Sequence, residues 1–341
     1  MQELSNRSWI FGVNSLDKYI ELLSNMCSCI APSGYEALVR NKIISAIRNE
    51  GYQIHQDKMG NLIIYIKGKK TKPRKIAFLA HMDSAAVIVT GESNGVYYAG
   101  SLSKWKREKI DNSDFSFLSG KQAKVSFIGE MKDRLVLNDV KGQNFEIGDV
   151  GVLKPDFYYD GKIVKGTFLD DRIGCVCLIR MILELESVDD DIYFVFTAQE
   201  EIGNKGARSI KKAFDFDEAI VVDTTVCKED EQQNAVFIAA GEGAACKMCD
   251  GAGICSDRLY NSFMKLAERR NVRYQKEILT YAGSDIAAFS EDGCNCEYGA
   301  VSIPCKYMHS PREEINIYDA KATYMLLKYY LEEISNAKFS C

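Results

Sequence analysis

Histidine is scarce in this chain, with three among 341 residues. No apolar run approaches the ~20 residues of a membrane span, so no span is expected. Neither sign of charge dominates: 43 Lys and Arg stand against 48 Asp and Glu, a formal charge of −5. That balance excludes a nucleic-acid binder relying on a broad basic face. The start, Met1-Gln2-Glu3-Leu4, lacks a basic stretch, and the apolar segment Trp9 to Val13 is too short for a signal peptide, so a cytoplasmic protein is expected. There is no repeat, linker or low-complexity segment. Hydrophobic residues make up 46% and charged residues 27%, a globular composition that excludes a disordered or collagen-like chain.

Cysteine, by contrast, is plentiful at twelve residues. Cys27/Cys29, Cys175/Cys177 and Cys294/Cys296 are C-x-C pairs, and Cys246/Cys249 is C-x-x-C. A zinc ribbon needs a second C-x-x-C at suitable spacing, and Cys255 does not supply one. These residues read as reduced thiols used as small buried hydrophobes.

Local patterns predict an α/β fold. Leu16 to Cys27 and Tyr35 to Glu50 have helical periodicity, separated by the break Ala31-Pro32-Ser33-Gly34. Asp57-Lys58-Met59-Gly60-Asn61 is a turn between two strands, and Ile76 to Ala80 is a short buried strand. From 85 to 165 short β-type runs alternate with turn residues and no long helix is predicted, which points to an inserted β-rich domain. The rest then divides into 1–84 and 166–341, two parts of one catalytic domain. In the second part, helices at Arg172 to Glu186, Ala207 to Phe214, Ser256 to Arg270 and Asp319 to Ile334 alternate with strands at Ile192 to Thr197, Ala219 to Val222 and Gly299 to Ile303. This rhythm predicts a mostly parallel sheet with helices on both faces.

Two of the three histidines sit at strand ends. His81 follows the strand ending at Ala80, and His309 lies beyond the strand near Ile303; His55 is expected on the surface. Asp170-Asp171 opens a helix, Glu200-Glu201 follows Thr197, and Asp223 follows Val222. In an open α/β sheet the carboxyl ends of the strands converge on the ligand crevice. So many anions in one crevice are costly unless cations neutralise them. Two divalent ions fit the ligand count: His81, Asp170 and Asp223 for one, and Asp170, Glu201 and His309 for the other, with Asp170 bridging. Imidazole with carboxylate suits zinc or its neighbours better than calcium or magnesium. Asp83 is placed to accept the other His81 ring N–H. Glu200, beside a ligand and free of metal, is placed as general base.

At these residues the sequence resembles the tetrahedral (TET-type) aminopeptidases of clan MH, the family of glutamyl, leucyl and deblocking aminopeptidases. The resemblance runs through Ser33-Gly34-Tyr35-Glu36, Asp57 to Asn61, Ala80-His81-Met82-Asp83, Leu169-Asp170-Asp171-Arg172-Ile173-Gly174, Thr197 to Gly203, Gly283-Ser284-Asp285 and Tyr307 to Glu313. It implies His81, Asp170, Glu201, Asp223 and His309 as metal ligands, Glu200 as base and Asp83 as the residue orienting His81. The implied enzyme is a co-catalytic aminopeptidase that removes N-terminal residues from short peptides with metal-activated water. Its cofactors would be two divalent ions per subunit, zinc first and cobalt or manganese as alternatives. Members self-associate, from dimers to hollow twelve-subunit tetrahedra, with the β-rich insertion taking part. The 89 residues between His81 and Asp170 place that insertion between the first two ligands, as in this family. The chain departs from the family at Ser84, where Glu is common, and at Lys306, where Arg is usual. Residues 101–120, with Trp105-Lys106-Arg107-Glu108-Lys109, match it poorly. A deacylase or carbohydrate-active hydrolase on the same scaffold is the nearest alternative, and a non-catalytic relative a further one.

Overall fold

The computed structural model describes residues 13–47, 52–129, 134–229, 236–291 and 294–340. Two helices, α1 (Val13–Cys27) and α2 (Ala37–Ile47), precede the hairpin β1 (Gln53–Gln56) and β2 (Leu62–Ile66) and the strand β3 (Lys75–His81). His55 is exposed on β1. A second unit follows: β4 (Ala86–Ser93), β5 (Val96–Ser101), the single turn α3 (Arg107–Ile110), β6 (Ser113–Phe117), β7 (Gln122–Phe127), β8 (Arg134–Asn138) and β9 (Val150–Leu153). The chain then runs through β10 (Phe157–Tyr159), β11 (Ile163–Gly166), α4 (Leu169–Glu184), β12 (Leu185–Ser187), β13 (Asp191–Thr197), α5 (Lys205–Ala213), β14 (Glu218–Val226) and β15 (Ala244–Asp250). It finishes with β16 (Gly253–Ile254), α6 (Asp257–Arg270), β17 (Tyr274–Ile278), α7 (Ile286–Ser290), β18 (Glu297–Lys306), β19 (Glu313–Asn316), α8 (Ile317–Ser335) and β20 (Lys338–Phe339).

The large sheet has the order β1-β2-β13-β3-β14-β18-β19-β11-β10, with β15 branching from β18 and carrying β16 and β17. Its centre, β13-β3-β14-β18, is parallel. Those strands are nearly continuous apolar runs, Ile76 to Ala80 and Phe194 to Phe196 being buried, as strands covered by helices on both faces require. Antiparallel pairs extend this parallel centre on both sides, with β17 parallel to β15 at the branch, so the expected α/β sheet carries mixed flanks. The short strands β15, β17 and β19 lack strong alternation, and no strand was expected at their positions.

The second unit is a closed barrel, β4-β5-β8-β7-β6-β9. Period-two burial builds it: Ala123, Val125 and Phe127 of β7 and Leu135 and Leu137 of β8 point inward with Phe115, Phe117 and Val152, while their alternates face outward. The expected insertion ran from 85 to 165. The barrel strands end at Leu153, and β10 and β11 join the large sheet through β11–β19 pairing. A hairpin following a barrel shares its β texture, so composition does not reveal the change of sheet. Among the described residues no helix is long and apolar enough to cross a membrane.

Candidate active site

Parallel pairing brings the strand ends together. Thr197 of β13 is in register with His81 of β3, and Val221 of β14 with Leu79, which sets Asp223 beside His81. Across this line lies the start of α4, where Asp170 is buried. Its carboxylate spans two histidines: Oδ1 is 3.2 Å from His81 Nε2, and Oδ2 is 3.3 Å from His309 Nε2. Asp223 Oδ1 lies 3.8 Å from His81 Nε2, and Glu201 Oε1 lies 3.1 Å from His309 Nε2. Asp170, Glu201 and His309 offer ligand atoms all within 4.8 Å of one another, as do His81, Asp171 and Asp223.

Asp171 enters the second group by position, but its oxygens are engaged elsewhere. Oδ2 accepts from the His81 amide at 3.3 Å and Oδ1 from the Gly174 amide at 3.0 Å, as a helix cap does. A Cβ at Gly174 would meet that carboxylate at 2.3 Å, so glycine is required there. Asp170, by contrast, keeps both oxygens for the cleft.

The histidines are fixed from behind. His81 Nδ1 is 3.2 Å from the carbonyl of Asp83, and His309 Nδ1 is 3.0 Å from the carbonyl of Lys104. A carbonyl only accepts, so each Nδ1 carries a proton, and Nε2 is the ring nitrogen turned toward the carboxylates. The Asp83 carboxylate is 3.6 Å from His81 Nδ1, longer than a hydrogen bond. Its shorter contacts are with the Glu200 amide (2.9 Å), the Glu201 amide (3.2 Å) and Ser33 Oγ (2.6 Å). Asp83 therefore shapes the turn that carries Glu200 and Glu201.

Glu200 Oε1 accepts from Asn204 Nδ2 at 2.8 Å, and the same nitrogen lies 3.3 Å from Asp285 Oδ1. Asp285 is itself held by Thr197 Oγ1 at 2.6 Å. Glu313 ties two loops: Oε2 accepts from the Leu169 amide at 2.7 Å and Oε1 from the His309 amide at 2.9 Å. Asp285 and Glu313 fall in segments that carry the family resemblance, but sequence alone assigns no role to them or to Asn204, because the contacts Asn204–Asp285, Thr197–Asp285 and Leu169–Glu313 are made only in the fold. Phe168, Gln199, Asn204, Tyr307 and His309, all around the cleft, have positive φ, a conformation that non-glycine residues hold at a cost of about 1–3 kcal/mol each.

Electrostatics test whether these residues fit metal. Burial, then Asp170 and Asp285, push the Asp223 carboxyl up to about 8, against the pull of His81. Burial and Asp170 likewise push Glu313 up to about 8. Burial, with Asp223, Asp285 and Glu201, drives Glu200 well above the usual carboxylate range. Asp170 goes the other way: bonds from His309 and His81 outweigh its burial and hold it well below that range. Both imidazoles are pushed well up by neighbouring carboxylates despite burial. A buried cluster of carboxylates that draws protons onto itself and its histidines is short of positive charge, and divalent cations supply it. The donor set fits zinc-like ions.

The M42 glutamyl aminopeptidase profile matches residues 136–326. A candidate aminopeptidase of Acetivibrio thermocellus is 32% identical over 321 residues, covering 90% of this chain and 96% of its own length. Lysyl aminopeptidase of Pyrococcus furiosus is 26% identical, covering 94% of this chain and 99% of its own. Among solved structures, an aminopeptidase of Desulfurococcus kamchatkensis superposes with a TM-score of 0.85 at 24% identity, covering 94% and 96% of the two chains. The Pyrococcus horikoshii TET1 peptidase, described as assembling into a tetrahedron or a large octahedral shell, gives 0.77 at 25% identity, covering 93% and 100%.

Proposed function

The chain belongs to the M42 glutamyl aminopeptidase family, aminopeptidases that hydrolyse peptide bonds, and from that premise we propose a two-metal exopeptidase acting on short peptides with free N-termini. His81, Asp170 and Asp223 would hold one divalent ion and Asp170, Glu201 and His309 the other. The observation that carries this reading is the Asp170 carboxylate, one oxygen beside each histidine at 3.2 and 3.3 Å. Zinc suits the imidazole and carboxylate donors best, with cobalt or manganese as alternatives. Ions held there would supply Lewis-acid polarisation of the scissile carbonyl and a lowered pKa for water.

The chain's own groups do the rest. Glu200 takes the proton of the attacking water at its carboxylate and delivers it to the leaving amine nitrogen. Asn204 holds Glu200 Oε1, and Asp285 holds Asn204 from behind, which aims the base without neutralising it. Asp83 fixes the Glu200–Glu201 turn through two amides and faces His81 from behind. Burial of the cleft strengthens each of these interactions by excluding water.

The barrel, with the rest of the 85–165 segment, would serve as the assembly or lid module. Self-association from a dimer up to a dodecamer follows the P. horikoshii neighbour, described as a dodecamer. A cytoplasmic location is supported by the thiols: Cys27, Cys29, Cys175, Cys177, Cys227, Cys246 and Cys305 are free and buried, which suits a reducing compartment.

The test is a peptide pool, half with free and half with acetylated N-termini, incubated with zinc- or cobalt-loaded enzyme and read by mass spectrometry. Stepwise loss of single residues from the free peptides is expected. Loss of the acetyl group alone would favour a deacylase, and an untouched pool would overturn the peptidase reading.

A further inference from the structure

The two histidines of the site are oriented from different parts of the molecule. His81 Nδ1 leans on the Asp83 carbonyl, two residues along its own chain. His309 Nδ1 instead leans on the Lys104 carbonyl, 205 residues away in the barrel. The segment that supplies it, the turn between β5 and α3 with α3 itself, makes two more contacts with the same loop. The Trp105 ring meets the His309 ring edge-on, centroids 5.8 Å apart. Lys109 of α3 donates through Nζ to the Met308 carbonyl at 3.2 Å and to Glu229 Oε1 at 2.7 Å.

The turn is itself fastened to the barrel. Trp105 Nε1 donates to the Ala86 carbonyl at 3.3 Å, and its ring packs against Phe115 with centroids 6.0 Å apart. A narrow cleft where the barrel meets the site is lined by Trp105, Leu153, Phe168, Asp170, Glu201 and His309. The receiving loop needs such support, because Tyr307 and His309 both sit in the left-handed region at φ +55° and +56°, where a non-glycine backbone stays only if its surroundings hold it. Glu313 supplies one hold from the sheet side. The barrel supplies the others.

We propose that the Lys104–Trp105 turn is a positioning element for His309, so that the ion held by Asp170, Glu201 and His309 binds tightly only when the barrel is seated on the large sheet. The other ion, at His81, Asp170 and Asp223, is independent of that seating. The proposal rests on the two-ion reading above. Outer partners of a metal-bound imidazole fix its tautomer and ring plane, and losing them typically weakens metal binding 10–100-fold.

Equilibrium dialysis against buffered free zinc, with zinc counted per chain, tests it. Wild-type protein, Trp105→Ala, Lys109→Met and His309→Ala are compared, and the step absent from His309→Ala marks the ion in question. In Trp105→Ala and in Lys109→Met that step should move to at least tenfold higher free zinc while the other stays within twofold. Melting of the zinc-free proteins reports folding; if Trp105→Ala is unfolded, Lys109→Met decides alone. A second readout is independent of activity. The chain has two tryptophans, Trp9 and Trp105, so in a Trp9→Phe background the emission belongs to Trp105 and should change with that step. Both steps staying within twofold in the variants, or Trp105 emission indifferent to zinc, would overturn the positioning role. Wild-type protein that takes up no zinc and no cobalt would remove the two-ion reading itself, a result distinguishable from either.

Discussion

Glu200→Gln separates the base from everything else the site does. Gln keeps the length of the side chain and an oxygen that can still accept from Asn204 Nδ2, now at 2.8 Å from Glu200 Oε1. It replaces a carboxyl whose ionised form burial, Asp223, Asp285 and Glu201 disfavour with a neutral amide, so the fold should be as stable as wild type or more so. Glu200 is not among the ligand groups, so metal content should not fall. What disappears is proton transfer, worth about 10²–10⁴-fold in rate for a positioned general base, or about 3–5 kcal/mol of barrier at 1.36 kcal/mol per decade. The assay is the initial rate on leucyl and glutamyl p-nitroanilides at saturating zinc, with zinc counted on the same samples. The expectation is a kcat lower by at least 100-fold with KM within a few-fold. A loss under tenfold with the metal content intact would refute the base assignment.

Chelation should lower the melting temperature. Zinc at 100 times its Kd adds about 2.7 kcal/mol per ion, and a chain of this length unfolds with an entropy of about 0.7 kcal/mol/K, so stripping should cost about 4 °C per ion; coincident melts with and without chelator would count against resident ions. At the far end of the strands, Arg74 binds Asp190 Oδ2 at 2.8 Å, Glu218 Oε1 at 3.0 Å and the Ile334 carbonyl at 2.8 Å. Arg74→Ala leaves two buried carboxylates with fewer partners, so urea unfolding should show a loss of about 3 kcal/mol with activity per folded molecule unchanged. Asp190 also predicts acid behaviour. Bonds from Arg74, Lys70 and Ser335 outweigh its burial and bring its pKa from 3.8 down to about 2. A folded pKa below the unfolded one means stability that is complete above 3.8 and lost as pH falls through about 2. Urea midpoints taken between pH 4 and 2 should therefore fall more steeply for wild type than for Asp190→Asn, and parallel slopes would contradict this.

The parts of the fold that read clearly were those with a strong local period. β3, β13 and β14 are short apolar runs with polar ends, α6 and α8 have helical spacing, and the barrel strands alternate. The antiparallel flank was not legible: β19 is the four residues Glu313–Asn316, and β15 ends in a Cys-rich stretch with no alternation. The site behaved similarly. His81, Asp170, Glu200, Glu201, Asp223 and His309 stood out because rare histidines and clustered carboxylates fell at strand ends, and the structure brings them into one cleft. Asn204, Asp285 and Glu313 carry no such mark. Asn204 and Glu313 each have one local partner four residues away, Glu200 and His309 respectively. The contacts that join them to the rest of the site span 81 residues, Asn204 to Asp285, and 144 residues, Glu313 to Leu169, and only the fold makes those. The barrel's reach to His309 was likewise invisible, since nothing in Ser101 to Ile110 announces a contact with a loop 205 residues later.

Asp170, with one oxygen toward each histidine, is the residue proposed to serve both ions. The most direct test is a crystal of zinc-soaked protein measured on both sides of the zinc absorption edge. Two anomalous peaks about 3.5–4 Å apart, one beside His81 and Asp223 and one beside Glu201 and His309, with Asp170 between them, are the predicted result. A single peak, or peaks that do not share Asp170, would contradict it.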